Sequence, residues 1–91
     1  MQFSWDPDKA SRNERKHGVA FQEALTVFSD SLARIHDDPD HSKGELREII
    51  VGQSRSGRLL LVCFTERAEG IRLFSARETT RHERRDYEQA R

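Results

Sequence analysis

Leu59-Leu60-Leu61-Val62-Cys63-Phe64 is the most apolar run in the chain and contains no charge. Its length suits a strand rather than a helix, and its unbroken apolarity marks a central strand covered on both faces. On its N-terminal side, residues 46–53 mix Ile49, Ile50 and Val51 with polar neighbours, as a half-exposed strand does. The intervening Ser54-Arg55-Ser56-Gly57-Arg58 places glycine where a hairpin needs positive φ. On its C-terminal side a turn at 66–70 leads into a third strand at 71–76. Three strands in such quick succession predict a mainly antiparallel sheet.

Outward from this centre the signals alternate between strand and helix. Gln2-Phe3-Ser4-Trp5 has the two-residue period of a short strand with Phe3 and Trp5 on one face. Asp6-Pro7 offers a capping carboxylate followed by proline at the first helical position, and Gly18 supplies a left-handed stop, so the first helix is Pro7–His17. That helix is polar, with Lys9, Arg12, Arg15 and Lys16 among its charges. Phe21, Ala24, Leu25 and Phe28 recur at helical spacing and give a second helix one apolar face. Residues 31–35 suit a short strand, and 36–44 a polar loop rich in turn formers. Thr80-Arg81-His82-Glu83 is a capping box, so a last helix starts there and runs to the C-terminal end, with only Tyr87 and Ala90 as apolar content. The expected fold is α+β: an N-terminal strand, two helices, a mainly antiparallel sheet of about four strands, and a C-terminal helix.

At 91 residues, positions 1–91 form one small domain with a thin core. Charged residues make up 35% of the chain and hydrophobic residues 34%, a lean composition that fits a protein gaining stability from a partner. Sixteen basic and sixteen acidic residues cancel. Net charge therefore argues neither for nor against nucleic acid. The distribution is uneven: four basic residues face one acid between Lys9 and Lys16, and seven arginines face five acids between Arg67 and Arg91. The acids concentrate between Asp37 and Glu48.

The single cysteine, Cys63, excludes an internal disulfide framework and sits in the apolar run as a small core residue. No segment approaches the ~20 apolar residues that span a bilayer, and the N-terminus lacks a signal-peptide pattern. A cytoplasmic protein is expected. His36, Asp37, Asp38, Asp40 and His41 match no zinc or calcium loop spacing, so neither metal nor cofactor is expected.

Several fragments then form a recognisable series. Phe3-Ser4-Trp5-Asp6, Lys16-His17-Gly18-Val19, Phe64-Thr65-Glu66-Arg67 and Arg72-Leu73-Phe74-Ser75-Ala76-Arg77 occur in order, followed by Glu83-Arg84 and Tyr87-Glu88. Together they resemble the BrnT-type toxins, the ribonuclease half of a bacterial toxin–antitoxin pair. The resemblance implies a compact RelE-like architecture and an endoribonuclease that cleaves cellular RNA and slows growth. It also implies neutralisation by a BrnA-like ribbon-helix-helix antitoxin, with operator DNA bound only through that antitoxin.

RNA carries its own nucleophile, the 2′-hydroxyl. A ribonuclease needs a proton acceptor, a donor for the leaving 5′-oxygen, and cations on the phosphate, but no metal. Arg67 and Arg77 fall at the toxin pattern's own arginines, and arginine's planar fork suits phosphate. Arg72, alternating outward between them, is a further RNA contact, as are Lys9 and Lys16. His17 is the best acid–base candidate, since imidazole titrates nearest neutrality, although a histidine at a helix end is more often a cap. Glu83 is either a catalytic carboxylate or the third residue of its capping box. Tyr87 is either the counterpart of a C-terminal tyrosine in related toxins or the apolar anchor of the last helix. The alternative to an enzyme is a partner-binding module whose arginines pair with another protein's acids. Convergence of His17, Arg67, Arg77 and Tyr87 on one concave surface would favour catalysis.

Overall fold

A computed structural model describes residues 1–89. The elements are β1 (Phe3–Ser4), α1 (Pro7–His17), α2 (Phe21–Ala24) continuing as a 3-10 turn (Leu25–Ser29), β2 (Arg34–Asp37), a second 3-10 turn (Pro39–His41), β3 (Glu48–Gln53), β4 (Leu59–Arg67), β5 (Gly70–Glu78) and α3 (Arg81–Gln89). One sheet holds all five strands in the order β1-β5-β4-β3-β2, antiparallel except where β1 lies parallel to β5. The α+β class agrees with the sequence, and the N-terminal strand joins the sheet, making five strands rather than about four.

The apolar run does form the middle strand, and its alternation divides the core. Leu60, Val62 and Phe64 of β4 join Ile50, Ile71, Leu73 and Ala76 in a buried cluster with Val19, Phe21, Ala24 and Val27 from the helical layer. Phe28 packs edge-on to Phe64 with centroids 5.0 Å apart, and Trp5 packs edge-on to Phe21 at 5.8 Å. Leu59 faces the other way and forms a smaller cluster with Val51 and Tyr87, flanked by Ile49 and Leu61. Here α3 covers only part of the sheet.

Three local expectations are corrected. The second helix was expected over 21–28, yet α-helical geometry stops at Ala24: the Thr26 hydroxyl donates to the Glu23 carbonyl at 2.6 Å and accepts from Arg55 N at 2.8 Å, competing with the helical ladder. The strand expected at 31–35 begins at Arg34, because Asp30 holds a turn through Leu32 N at 2.9 Å and Ala33 N at 3.0 Å. Arg67 was placed in a turn but ends β4, paired with Gly70. Ala90, assigned to the last helix, lies outside the described residues.

The register of β5 shifts between Ser75, which pairs with Cys63, and Leu73, which pairs with Phe64, leaving Phe74 as an extra residue in a bulge. The bulge resets the alternation. Ile71, Leu73 and Ala76 all reach the main core, although the third is out of phase with the first two. Arg77 is consequently carried to the opposite face, where strict alternation from Leu73 would have turned it inward.

Alongside this strand, the free edge of β5 beyond β1 is sealed by a side chain. Asn13 of α1 accepts from Ala76 N at 3.0 Å and donates to Ala76 O at 2.9 Å, as a neighbouring strand would, and also donates to Val19 O at 3.0 Å. It is buried and fixes α1 against the sheet.

Candidate active site

The uncovered part of the second sheet face forms an open cleft of about 680 Å³. Its floor is Ile49, Leu61, Cys63, Phe74 and Ser75; α1 forms one wall with Lys9, Arg12, Lys16 and His17, and the segment 36–47 the other with His36, Asp38, His41 and Arg47. Arg77 and Glu83 also line it. Five lysines and arginines thus face two carboxylates in a chain whose total charge is zero. Both carboxylates are already engaged. The cleft therefore attracts anions, and its low-dielectric floor strengthens that field.

Local chemistry places each wall. Asp6 caps α1 through Asp8 N at 2.8 Å and proline opens it, whereas Gly18, with φ 69°, ends it by donating to Glu14 O at 2.9 Å. Lys9, Arg12 and Lys16 recur at helical spacing around the buried Asn13, so one anchor presents all three. His17 is half-buried at the end of this helix.

Arg77 and Glu83 join the sheet to α3 through two parallel hydrogen bonds of 2.8 Å. Arg77 also donates to Glu78 O at 3.1 Å, while Glu83 accepts from Thr80 N at 2.8 Å, closing the capping box read from the sequence. The Arg77 guanidinium lowers the Glu83 carboxyl to about 2, and the Glu83 carboxylate in turn raises Arg77. A carboxylate so acidic is a weak base near neutrality, and its geometry suits holding the guanidinium.

On the facing wall, Asp38 is buried. It meets His41 Nδ1 at 2.9 Å and receives the Cys63 thiol at 3.5 Å. Burial and then Asp38 push that thiol up to about 11, which leaves it uncharged and unreactive near neutrality. Among the described residues, no group of three or more histidine, cysteine or acidic side chains is arranged to hold a metal ion.

Five of the residues picked from the sequence, Lys9, Lys16, His17, Arg77 and Glu83, share this cleft. The other three lie elsewhere. Arg67 donates to Glu45 at 3.1 Å near the far end of the sheet. Arg72 lies between Ser4 of β1 and Thr65 of β4. Tyr87 is buried on the sheet side of α3, its hydroxyl donating to Asp30 at 2.6 Å, and lines an adjoining groove between β2 and α3 that shares His36, Leu61 and Glu83 with the cleft. Of the four residues whose meeting would favour catalysis, His17 and Arg77 line the cleft, Tyr87 lines the adjoining groove, and Arg67 lines neither. Sequence reasoning missed Arg47, which lies in no motif, and Phe74, which lies inside the quoted 72–77 motif but carries no charge to mark it as a cleft residue.

The cationic, histidine-bearing cleft on the half-covered sheet of this small α+β protein is electrostatically suited to an anion. Residues 5–83 match the family model described as the ribonuclease toxin, BrnT, of type II toxin–antitoxin systems, and the chain belongs to that family. The fold is similar to the crystal structure of the Brucella abortus ribonuclease toxin BrnT, with a TM-score of 0.69, 21% identity, and coverage of 89% of this chain and 99% of that one. A comparison with curated proteins gave no match. Membership makes the chain a ribonuclease toxin with an antitoxin partner. Among the described residues, no helix is long and apolar enough to cross a membrane.

Proposed function

We propose that this toxin is a metal-independent endoribonuclease that cleaves cellular RNA in the cationic cleft and thereby halts translation and growth. What carries the reading is the gathering of His17, Lys16, Lys9 and Arg77 around one open cleft in a chain with no net charge. Arg77 and Lys16 bind the scissile phosphate and offset the charge that builds on it. His17 takes the proton from the 2′-hydroxyl. The 2′-oxygen attacks phosphorus and the bond to the 5′-oxygen breaks, water donates a proton to that oxygen, and a 2′,3′-cyclic phosphate and a 5′-hydroxyl are left, with His17 returning its proton to solvent. Glu83 positions Arg77. Tyr87 anchors α3, and Arg67 and Arg72, which do not line the cleft but lie near its wall residue Arg47 through their shared neighbour Glu45, serve longer RNA or the antitoxin.

The partner is a BrnA-like ribbon-helix-helix antitoxin whose acidic residues neutralise the cleft, and the pair represses its own operon with DNA read by the antitoxin alone. Both act in the cytoplasm. The test is induced expression of wild type, Arg77→Ala and His17→Ala, each confirmed soluble and folded, with growth and RNA integrity followed. Wild type should arrest growth and fragment RNA while both variants do neither. A soluble, harmless wild type that leaves RNA whole would replace the enzyme with a non-enzymatic partner-binding module.

A further inference from the structure

Phe74 projects into the cleft because the bulge adds a residue to β5, and it is half-buried there with two cations over its ring. The Arg47 guanidinium carbon lies 3.8 Å from the ring centroid, which is stacking distance, and Lys9 Nζ lies 5.3 Å from it. Arg47 is held by both of its backbone polar groups. Its N–H donates to Ser42 Oγ at 3.0 Å and its carbonyl accepts from Asp38 N at 2.9 Å, while Ser42 Oγ donates to Asp38 O at 2.7 Å. A flexible side chain is thus fixed at its root by a braced loop and at its tip by an aromatic face. Among the described residues no carboxylate pairs with the tip at ion-pair distance: the arginine ion pairs engage Arg58, Arg67, Arg77 and Arg84, and Glu45, which acts on Arg47 at longer range, is bonded to Arg67.

We infer that Arg47 and Phe74 form a stacking platform for one unpaired nucleobase, beside the phosphate-binding wall of Lys9, Lys16 and Arg77. This rests on the ribonuclease reading and adds to it the recognition of a single-stranded substrate. A guanidinium stacked on a ring keeps its other face free for a base, and each base stacked in this way contributes about fivefold or more in affinity. Phosphate contacts alone bind any backbone of equal charge, so the platform makes binding depend on the bases. A paired base has both faces covered by its neighbours, so duplex RNA cannot use it.

The test compares the binding of a ten-residue 2′-O-methyl oligoadenylate, which lacks the nucleophile and stays intact, with an abasic oligomer of the same length and charge. Arg47→Lys removes the plane, and Phe74→Leu removes the ring; both preserve net charge, and circular dichroism checks folding. Wild type should prefer the base-bearing oligomer by about tenfold. Both variants should bring that preference near twofold while keeping the salt dependence of binding, which reports the phosphate contacts. A preference unchanged in either folded variant, or absent from wild type, overturns the platform. If RNA is cleaved while the preference is absent, only the platform fails; if neither oligomer binds and RNA stays whole, the ribonuclease reading fails with it.

Discussion

Arg77 and Glu83 hold one another through two equal hydrogen bonds of 2.8 Å, so the arginine at the cleft and the carboxylate that starts α3 form one unit. The arginine could not keep this direction alone, because its side chain is 37% exposed. Glu83 fixes the fork while serving in the capping box. Glu83→Gln retains an acceptor for Thr80 N but loses the charge. We expect purified Glu83→Gln to keep its α3 helix while RNA cleavage falls about tenfold or more, read as a lower kcat with little change in KM if Glu83 positions rather than binds. Unchanged kcat would remove Glu83 from the site.

The same pair sets an acid limit. Glu83 and Glu23 are both lowered to about 2 from an ordinary 4.5, the first chiefly by Arg77 and the second chiefly by Arg58. Each carboxyl is more acidic in the folded chain, so its stabilisation is complete above pH 4.5 and is lost as pH falls toward 2. Because the Arg77 pair is partly solvated, its contribution is about 1 kcal/mol. Melting curves should place Glu83→Gln a few degrees below wild type at pH 7, with the gap closing through that acid window. A constant gap would mean that charge is not the cause.

Asn13 replaces a missing strand at the edge of β5. Asn13→Ala leaves the N–H and C=O of Ala76 and the carbonyl of Val19 without their partner, which costs ~2–4 kcal/mol. Urea unfolding should show a lower midpoint with an unchanged slope. Since Lys9, Lys16 and His17 ride on the same helix, RNA affinity should fall with it. A loss below ~0.5 kcal/mol would show that water replaces the carboxamide at little cost.

Tyr87→Phe removes the hydroxyl bond to Asp30 and keeps the buried ring. The expected loss is ~1 kcal/mol, with faster hydrogen exchange in α3 and growth arrest maintained. Loss of toxicity with α3 protection unchanged would instead put the phenol in the chemistry.

Much of this molecule was legible from spacing. The apolar run of β4, the Asp6-Pro7 start and Gly18 end of α1, and the capping box of α3 each depend on residues close in sequence, and all appear where expected. The second helix and β2 were misjudged where a side chain took over a backbone bond. Thr26 shortened α2 and Asp30 delayed β2. Arg67 and Arg77 looked alike because each ends a motif, yet one meets Glu45 and the other meets Glu83 in the cleft.

The sequence by itself determined the α+β class, the central strand and the helix boundaries of α1, because these rest on local propensity, capping and period, and it carried the series of motifs that resembles the BrnT family. Only the tertiary structure decided which charges share a surface. That choice follows from the bulge at Phe74, which turns Arg77 out of the core, and from Asn13, which binds a strand 63 residues away in sequence. Neither event has a local signature: a bulge is defined by the register of a partner strand, and a buried amide by the backbone groups that folding brings to it.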